Sequence, residues 1–267
     1  MSADHGDDRT GQFQRSPTGP RVGPPREPTK PQPTPPRRFA GSRRNLWSVL
    51  FVVLVIGSVG VRAVRDLARP EAWVYWKDLY VAPSLTASPL MTADFGGAAQ
   101  GRRALAISGK IGAASASWFR ARLDEAHLAA GDIILVSSPG GDLGQALIMG
   151  EMIRSRGLQT AVGQLEASGK VKPSYCASAC VFVYAGGKSR LGVDGSVLGV
   201  HRFVTSGGGD DPVAETQRTT GMVLGYVTKM GVSPALVEAM SQTREVRWLN
   251  TREAMAMNLV TGPVGQP

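Results

Sequence analysis

Cysteine and histidine are scarce in this 267-residue chain, which has two Cys (Cys176, Cys180) and three His (His5, His127, His201). Two thiols with no histidine close in sequence cannot build a tetrahedral zinc site, so neither metal nor cofactor is expected. Outside the cytosol a Cys-x-x-x-Cys pair can close into a disulfide; packing as two small buried thiols is the equal alternative. A bridge spanning so little chain adds little stability. Aromatic residues make up 6% of the chain, and the folded part does not interleave them with Lys/Arg clusters. That argues against a nucleic-acid partner, despite a formal net charge of +9. The charge is concentrated at one end: residues 1–44 hold nine Arg/Lys against four Asp/Glu, leaving 21 against 17 elsewhere. Internal repeats are also lacking.

Large aliphatics are nearly missing from residues 1–44, which contain nine prolines. Such a segment cannot bury enough apolar surface to offset its ordering entropy, so a disordered Pro/Arg-rich tail is expected. Its composition also suits SH3-type ligands, although a plain tether is the simpler reading. One long hydrophobic run exists, Leu46–Val61, sixteen residues without a charge. As a helix it rises roughly 24 Å against a hydrocarbon core of ~30 Å. Ala63 and Val64 extend it if Arg62 and Arg65 snorkel. A transmembrane helix is therefore expected over 45–64, crossing the inner (cytoplasmic) membrane once. Arg37, Arg38, Arg43 and Arg44 precede it and Arg62, Arg65 and Arg69 follow, which favours a cytoplasmic N-terminus and a periplasmic (extracytoplasmic) folded domain. Arg43-Arg44 also resembles a twin-arginine export signal. No small-x-small cleavage site follows Val61, so an uncleaved anchor is expected. Residues 65–103 read as a juxtamembrane segment and linker. Trp73, Tyr75, Trp76 and Tyr80 there suit a membrane interface or a cap on the domain.

The folded domain is expected over 104–262. Ala104–Ser108 reads as a short buried strand, followed by a helix capped by Ser115 or Ser117 with Phe119, Leu123, Ala126 and Ala130 on one face. Ile133–Ser137 is uniformly apolar up to its last residue, as in a strand covered on both faces. A second helix carries Leu143, Leu147, Gly150 and Ile153 and ends at Gly157. Leu158–Val162 is a third strand and Ala167–Ser174 a polar loop. Strand–helix alternation with short connections argues for right-handed parallel units. Asp211-Pro212 opens a helix bearing Val223, Leu224, Val227 and Met230, stopped by Gly231. Ser233-Pro234 opens another, and Asn250 with Glu253 forms an N-cap pair.

Three stretches carry candidate chemistry. Ser137–Asp142 (SSPGGD) ends a strand in a glycine turn. Tyr175–Arg190 (YCASACVFVYAGGKSR) sets Ser178 among small residues where a loop gives way to an apolar helix. Val197–Phe203 (VLGVHRF) is a strand carrying His201. Attack on an acyl carbon needs a nucleophilic oxygen with a base in reach and donors aimed at the developing oxyanion. Gly140-Gly141 can bring backbone close to a ligand, and the Ala179 N–H stands just after Ser178 at a helix start. Taken singly, each is ordinary: a common turn, an N-capping serine, a core histidine. Their order is what points to a site.

These residues resemble the Clp-type serine peptidases of the ClpP/crotonase fold. The resemblance rests on SSPGGD, CASACVFVYAGGKSRL and SVLGVHRF, and on the closing segments Arg247–Ala254 and Asn258–Val260, spanning roughly Ala104–Thr261. It implies an α/β domain: a ClpP/crotonase-like spiral of parallel β-strands wrapped by helices, preceded here by one transmembrane helix. It further implies Ser178 as nucleophile, His201 as base, Gly141 and Ala179 as oxyanion donors, a polypeptide substrate and a homo-oligomer. The position matching the family's triad aspartate is Val246; the neighbouring Glu245 is the candidate third member, with Asp194 and Asp142 as further carboxylates. Membrane-anchored relatives of the fold use a Ser-Lys pair, for which Lys188, Lys170 and Lys172 are the available lysines. The expected function is a membrane-anchored envelope serine peptidase or peptidase-like hydrolase. A catalytically silent binding or assembly module is the alternative, and acyl-CoA chemistry of the crotonase kind a third reading.

Overall fold

The computed structural model describes residues 42–93, 101–166, 168, 170–203, 211–262 and 264–265. The tail expected to be disordered lies outside these, except for Ser42–Arg44, which begin the first helix. Met1–Ile56 and Gly57–Pro267 form two units. Helix α1 (Ser42–Leu67) includes the 22-residue stretch Leu46–Leu67, which contains an 18-residue window of mean hydropathy 2.1, none of it buried. By length and composition it is able to cross a membrane.

In the larger unit, α2 (Pro70–Trp76) runs into a π-helical turn (Lys77–Val81). A six-stranded sheet follows, built from β1 (Leu85–Ala93), β2 (Arg102–Gly109), β3 (Ile133–Ser137), β4 (Gln159–Val162), β8 (Arg190–Val193) and β11 (Val264–Gly265). Its order is β1-β2-β3-β4-β8-β11. Every pairing is parallel except β1 with β2. The sheet therefore begins earlier than the expected boundary at Ala104, because Leu85–Ala93 forms an antiparallel edge strand where a linker was expected. The segment read as a polar loop contributes Val171–Lys172 (β6), which pairs with Gln164–Leu165 (β5).

Burial follows the side-chain alternation of the strands. Leu105, Ile107, Ile134 and Val136 face α3 (Ser115–Ala126), α4 (Leu143–Ser155) and α5 (Cys180–Ala185), packing with Phe119, Leu123, Met149, Ile153 and Phe182. The opposite residues Ala104, Ala106, Ile133 and Leu135 join Leu90, Ala161, Leu191 and Val193 beneath Leu165 and Val171. All five residues of β3 are buried, which is why its sequence shows no polar alternation. Each large side chain so buried contributes about 1.5–3 kcal/mol.

The ends of α3 differ in detail from the sequence reading. Ala114 is its N-cap, and the Ser115 hydroxyl instead accepts the Gly112 N–H at 2.8 Å. The helix stops at left-handed His127 (φ 46), so Ala130 lies beyond its face. Asp211 caps α6 (Pro212–Lys229) through the Ala214 N–H, though Leu224 on that helix is exposed. α7 (Ala235–Ser241) follows Pro234. Asn250 and Glu253 close a reciprocal capping box on α8 (Thr251–Ala256).

Arg190 is 2% exposed and has no carboxylate partner among the described residues. Its Nε donates to Leu259 O (2.9 Å), Nη1 to Gly187 O and Met230 O (both 3.1 Å), and Nη2 to Asn258 O (2.6 Å). Arg154 Nη2 adds bonds to Met230 O (2.9 Å) and Ala185 O (3.2 Å). One buried cation thus satisfies carbonyls left over where α5, α6 and α8 end. Burial, then the charge of Arg154, lowers the Arg190 pKa, but a guanidinium stays protonated in proteins.

Candidate functional site

A second, three-stranded sheet holds the candidate residues. β7 (Tyr175–Ala177) pairs in parallel with β9 (Val197–Val200), and β10 (Arg247–Leu249) lies antiparallel on the far side of β9. Ser178 leaves the C-terminal end of β7 and His201 that of β9. Ladder pairing Ala177↔Gly199 is extended by Ser178 N–H donating to Gly199 O at 2.8 Å. Two adjacent parallel strands therefore deliver a hydroxyl and an imidazole to one edge, the usual ligand side of parallel strands.

Ser178 is not in the first helical turn, as the sequence suggested, but in a tight turn one residue before the N-cap Ala179. Its φ is +57, a left-handed conformation that costs a non-glycine residue about 1–3 kcal/mol. Three contacts hold it there. Its N–H is bonded to Gly199 and its carbonyl accepts the Val181 N–H at 3.1 Å. In addition, Cys176 and Cys180 form a disulfide across the turn, with Cα atoms 5.3 Å apart. The structure thereby selects the disulfide over two free thiols, and both sulfur-bearing residues are buried.

Ser178 Oγ lies 2.7 Å from His201 Nε2. The other ring nitrogen, Nδ1, is 2.7 Å from the backbone carbonyl of Arg202. A carbonyl only accepts, so Nδ1 carries the proton and Nε2 presents a lone pair to the serine hydroxyl. This is the tautomer that a base toward Ser178 requires.

The glycine turn abuts the same point. Ser138 bridges Cys176 and its Oγ accepts the Gly140 N–H at 3.0 Å. Gly140 (φ +94) packs so closely that an added Cβ would sit 2.7 Å from Ser178 Cβ and 2.9 Å from Ala179 N. Gly141 (φ +142) lies against the Ile111 carbonyl, which a side chain would strike. Among the described residues, neither the Gly141 nor the Ala179 N–H has an acceptor. Gly141 and Ala179 line the same cleft as Ser178, so their N–H groups are the candidates for the donors an oxyanion needs.

This turn is braced from upstream. Ile111 N–H donates to Gly140 O and Asp142 N–H to Ile111 O, both at 2.8 Å. The loop carrying Ile111 is fastened by Asp78, whose carboxylate accepts the Ser84 N–H (2.9 Å) and Ala114 N–H (2.8 Å). Asp78 went unremarked in the sequence because its contact reaches 36 residues along the chain.

A cleft of about 450 Å³ opens over these groups, lined by Leu143, Phe182, Phe203 and Met240 together with Gly141, Ser178, His201 and Glu215. Phe182 and Phe203 stack with centroids 6.4 Å apart. α6 is tied to this wall by Tyr226 Oη, donating to Phe182 O at 2.7 Å. Burial, followed by the charge of Glu151, pushes the Tyr226 phenol above its ordinary range, so it remains a donor.

The carboxylate candidates are not behind the imidazole. Glu245 is exposed, and its recorded bond is through its carbonyl, which accepts from Thr243 Oγ1 at 2.8 Å. It precedes β10, where the Arg202 N–H pairs with Thr243 O. Continuing the register Arg247↔Val200 by one residue sets Val246, not Glu245, opposite His201. Asp194 is exposed in the turn between β8 and β9. Asp142 caps α4 by accepting the Gln145 N–H at 2.8 Å. Lys170, Lys172 and Lys188 are exposed, and none bonds to Ser178. The group that orients His201 is the Arg202 carbonyl. No residue type announces such a partner.

No protein-family model matches the chain, and no curated protein matches it. Solved structures do. ClpP1 of Listeria monocytogenes aligns at 16% identity and a TM-score of 0.47, over 61% of this chain and 91% of that one. A single-site mutant of the same Listeria protein aligns at 17% identity and 0.48 over the same shares.

Proposed function

We propose that this chain is a membrane-anchored serine hydrolase of the cell envelope that cleaves acyl bonds, peptide bonds first among them. The observation that carries the proposal is the 2.7 Å contact between Ser178 Oγ and His201 Nε2, made by the tautomer a base requires, in a cleft that Gly141 and Ala179 also line. As Oγ bonds to the substrate carbonyl carbon, its proton passes to Nε2. The oxyanion is held by the Gly141 and Ala179 N–H groups. Collapse breaks the C–N bond, and the imidazolium returns its proton to the departing amine. Water, deprotonated by the same imidazole, then releases the acyl group. The Arg202 carbonyl offsets part of the imidazolium charge through Nδ1–H.

Two features support an extracytoplasmic site: the Cys176–Cys180 disulfide, a bond of oxidising compartments, and the apolar helix Leu46–Leu67. Anchoring in the inner membrane with a cytoplasmic N-terminus follows from the flanking arginines. A homo-oligomer and a polypeptide substrate follow from the motif resemblance. One observation favours a second reading, a silent binding or assembly module: among the described residues His201 has no carboxylate behind it. A fluorophosphonate probe separates the two. Stoichiometric labelling lost in Ser178→Ala supports the hydrolase; a folded protein that never labels at Ser178 refutes it.

A further inference from the structure

We infer that the cleft selects substrates with a lysine or arginine side chain beside the scissile bond, and that Glu215 is the residue that selects them. The inference rests on the hydrolase reading and specifies its substrate class. Four apolar side chains, Leu143, Phe182, Phe203 and Met240, contribute to the cleft walls near Ser178, beside polar ones. Among the described lining residues there is no lysine or arginine, whereas two carboxylates are present, Asp142 and Glu215.

The two carboxylates are not equivalent. Asp142 is committed to the start of α4 through Gln145 N–H. Glu215, half-buried in the first turn of α6, has no hydrogen bond or ion pair on its carboxylate among the described residues. A carboxylate that faces the cleft without a side-chain partner is open to pairing with a substrate cation. The shape of the need is equally specific. Lysine and arginine carry an apolar stem ending in a charge, so the stem lies along the Phe182–Phe203 pair while the head reaches Glu215. Norleucine matches the stem but leaves Glu215 unpaired, and an acidic side chain adds repulsion.

The test has a binding arm and a turnover arm. Full-length Ser178→Ala protein in detergent is titrated, by fluorescence anisotropy, with labelled peptides differing at one position: Lys, Arg, norleucine or Glu. The wild-type chain is assayed in parallel on ester substrates carrying the same four side chains. A charge-assisted contact of this kind gives lysine and arginine about 10- to 100-fold over norleucine, with glutamate weakest and the margin shrinking in high salt. Glu215→Gln collapses the Lys/norleucine ratio toward one, and Glu215→Lys reverses the order of lysine and glutamate. Equal binding of lysine and norleucine, or a ratio unmoved in Glu215→Gln, overturns the inference. Ser178-dependent ester turnover reports separately on the hydrolase reading. A lysine preference in binding without turnover keeps the selective cleft and rejects the chemistry. Failure of both arms rejects both.

Discussion

Replacing Val246 by aspartate should speed acyl transfer at Ser178 about tenfold. Val246 continues the β10 register to the position opposite His201, and an added Cβ on Gly199 would meet both its Cγ1 and the Trp248 ring. Val246 and Trp248 therefore share the face of β9 on which residues 199 and 201 fall. In the wild type, Nδ1–H meets a neutral carbonyl, a bond worth about 0.5–1.5 kcal/mol net; a charged acceptor raises that to about 1.5–3. The difference, greatest when the ring is protonated, corresponds to roughly a tenfold gain in rate. The cost is modest: Val246 is already 39% exposed, so losing its buried part removes about 1–2 kcal/mol. Pre-steady-state ester hydrolysis reads the gain, and urea unfolding reads the cost. Unchanged kinetics with normal folding would refute this account of His201. So would a tenfold loss in Glu245→Gln, which would make Glu245 the orienting group after all.

Gly141→Ala forces a side chain toward the Ile111 carbonyl at φ +142 and, if the proposed oxyanion role of the Gly141 N–H is right, should lower kcat at least about 100-fold with a smaller change in KM. Removing the disulfide in Cys176→Ala/Cys180→Ala should cost no more than about 2 kcal/mol of unfolding free energy, because the closed loop is short. Activity should fall further than that stability loss explains, since the strained Ser178 turn loses its clamp; equal losses in both would contradict the clamp. Glu253 has its carboxyl held below the usual 4.5, first by the Asn250 N–H and then by Arg247. Its contribution is therefore present above that value and lost as pH falls through the lowered one. Glu253→Gln, which can still cap, should depress the melting temperature near pH 7 and converge on wild type as the pH falls below the lowered carboxyl pKa.

Much of the site was legible because it depends on residue types with few alternatives. A serine among small residues ahead of an apolar helix, a glycine pair closing a strand and a histidine in an apolar stretch leave marks in composition and spacing, whereas the strand before Ser178 and its left-handed turn do not. Capping at Asp211 and Asn250 was readable for the same reason, since short polar side chains there have a specific N–H to accept. What was not legible depends on backbone atoms or distant pairing. The Arg202 carbonyl would be present with any side chain. Leu85–Ala93 contains Pro89 and small polar residues and shows little alternation, yet it pairs because β2 offers an edge. Adjacency alone points to Glu245, but a one-residue step in an antiparallel ladder changes which residue faces the histidine.

The carbonyl cluster around Arg190 links the lengths of three helices. Each of α5, α6 and α8 must end within reach of one guanidinium, at Gly187, Met230 and Asn258–Leu259 respectively. Inserting a single residue into any of them rotates its last carbonyls by about 100° and carries them away from the shared donor. Length change in this half of the domain is therefore expected to collect in the connections, and a variant with one helix extended should recover only when a second change restores where that helix stops.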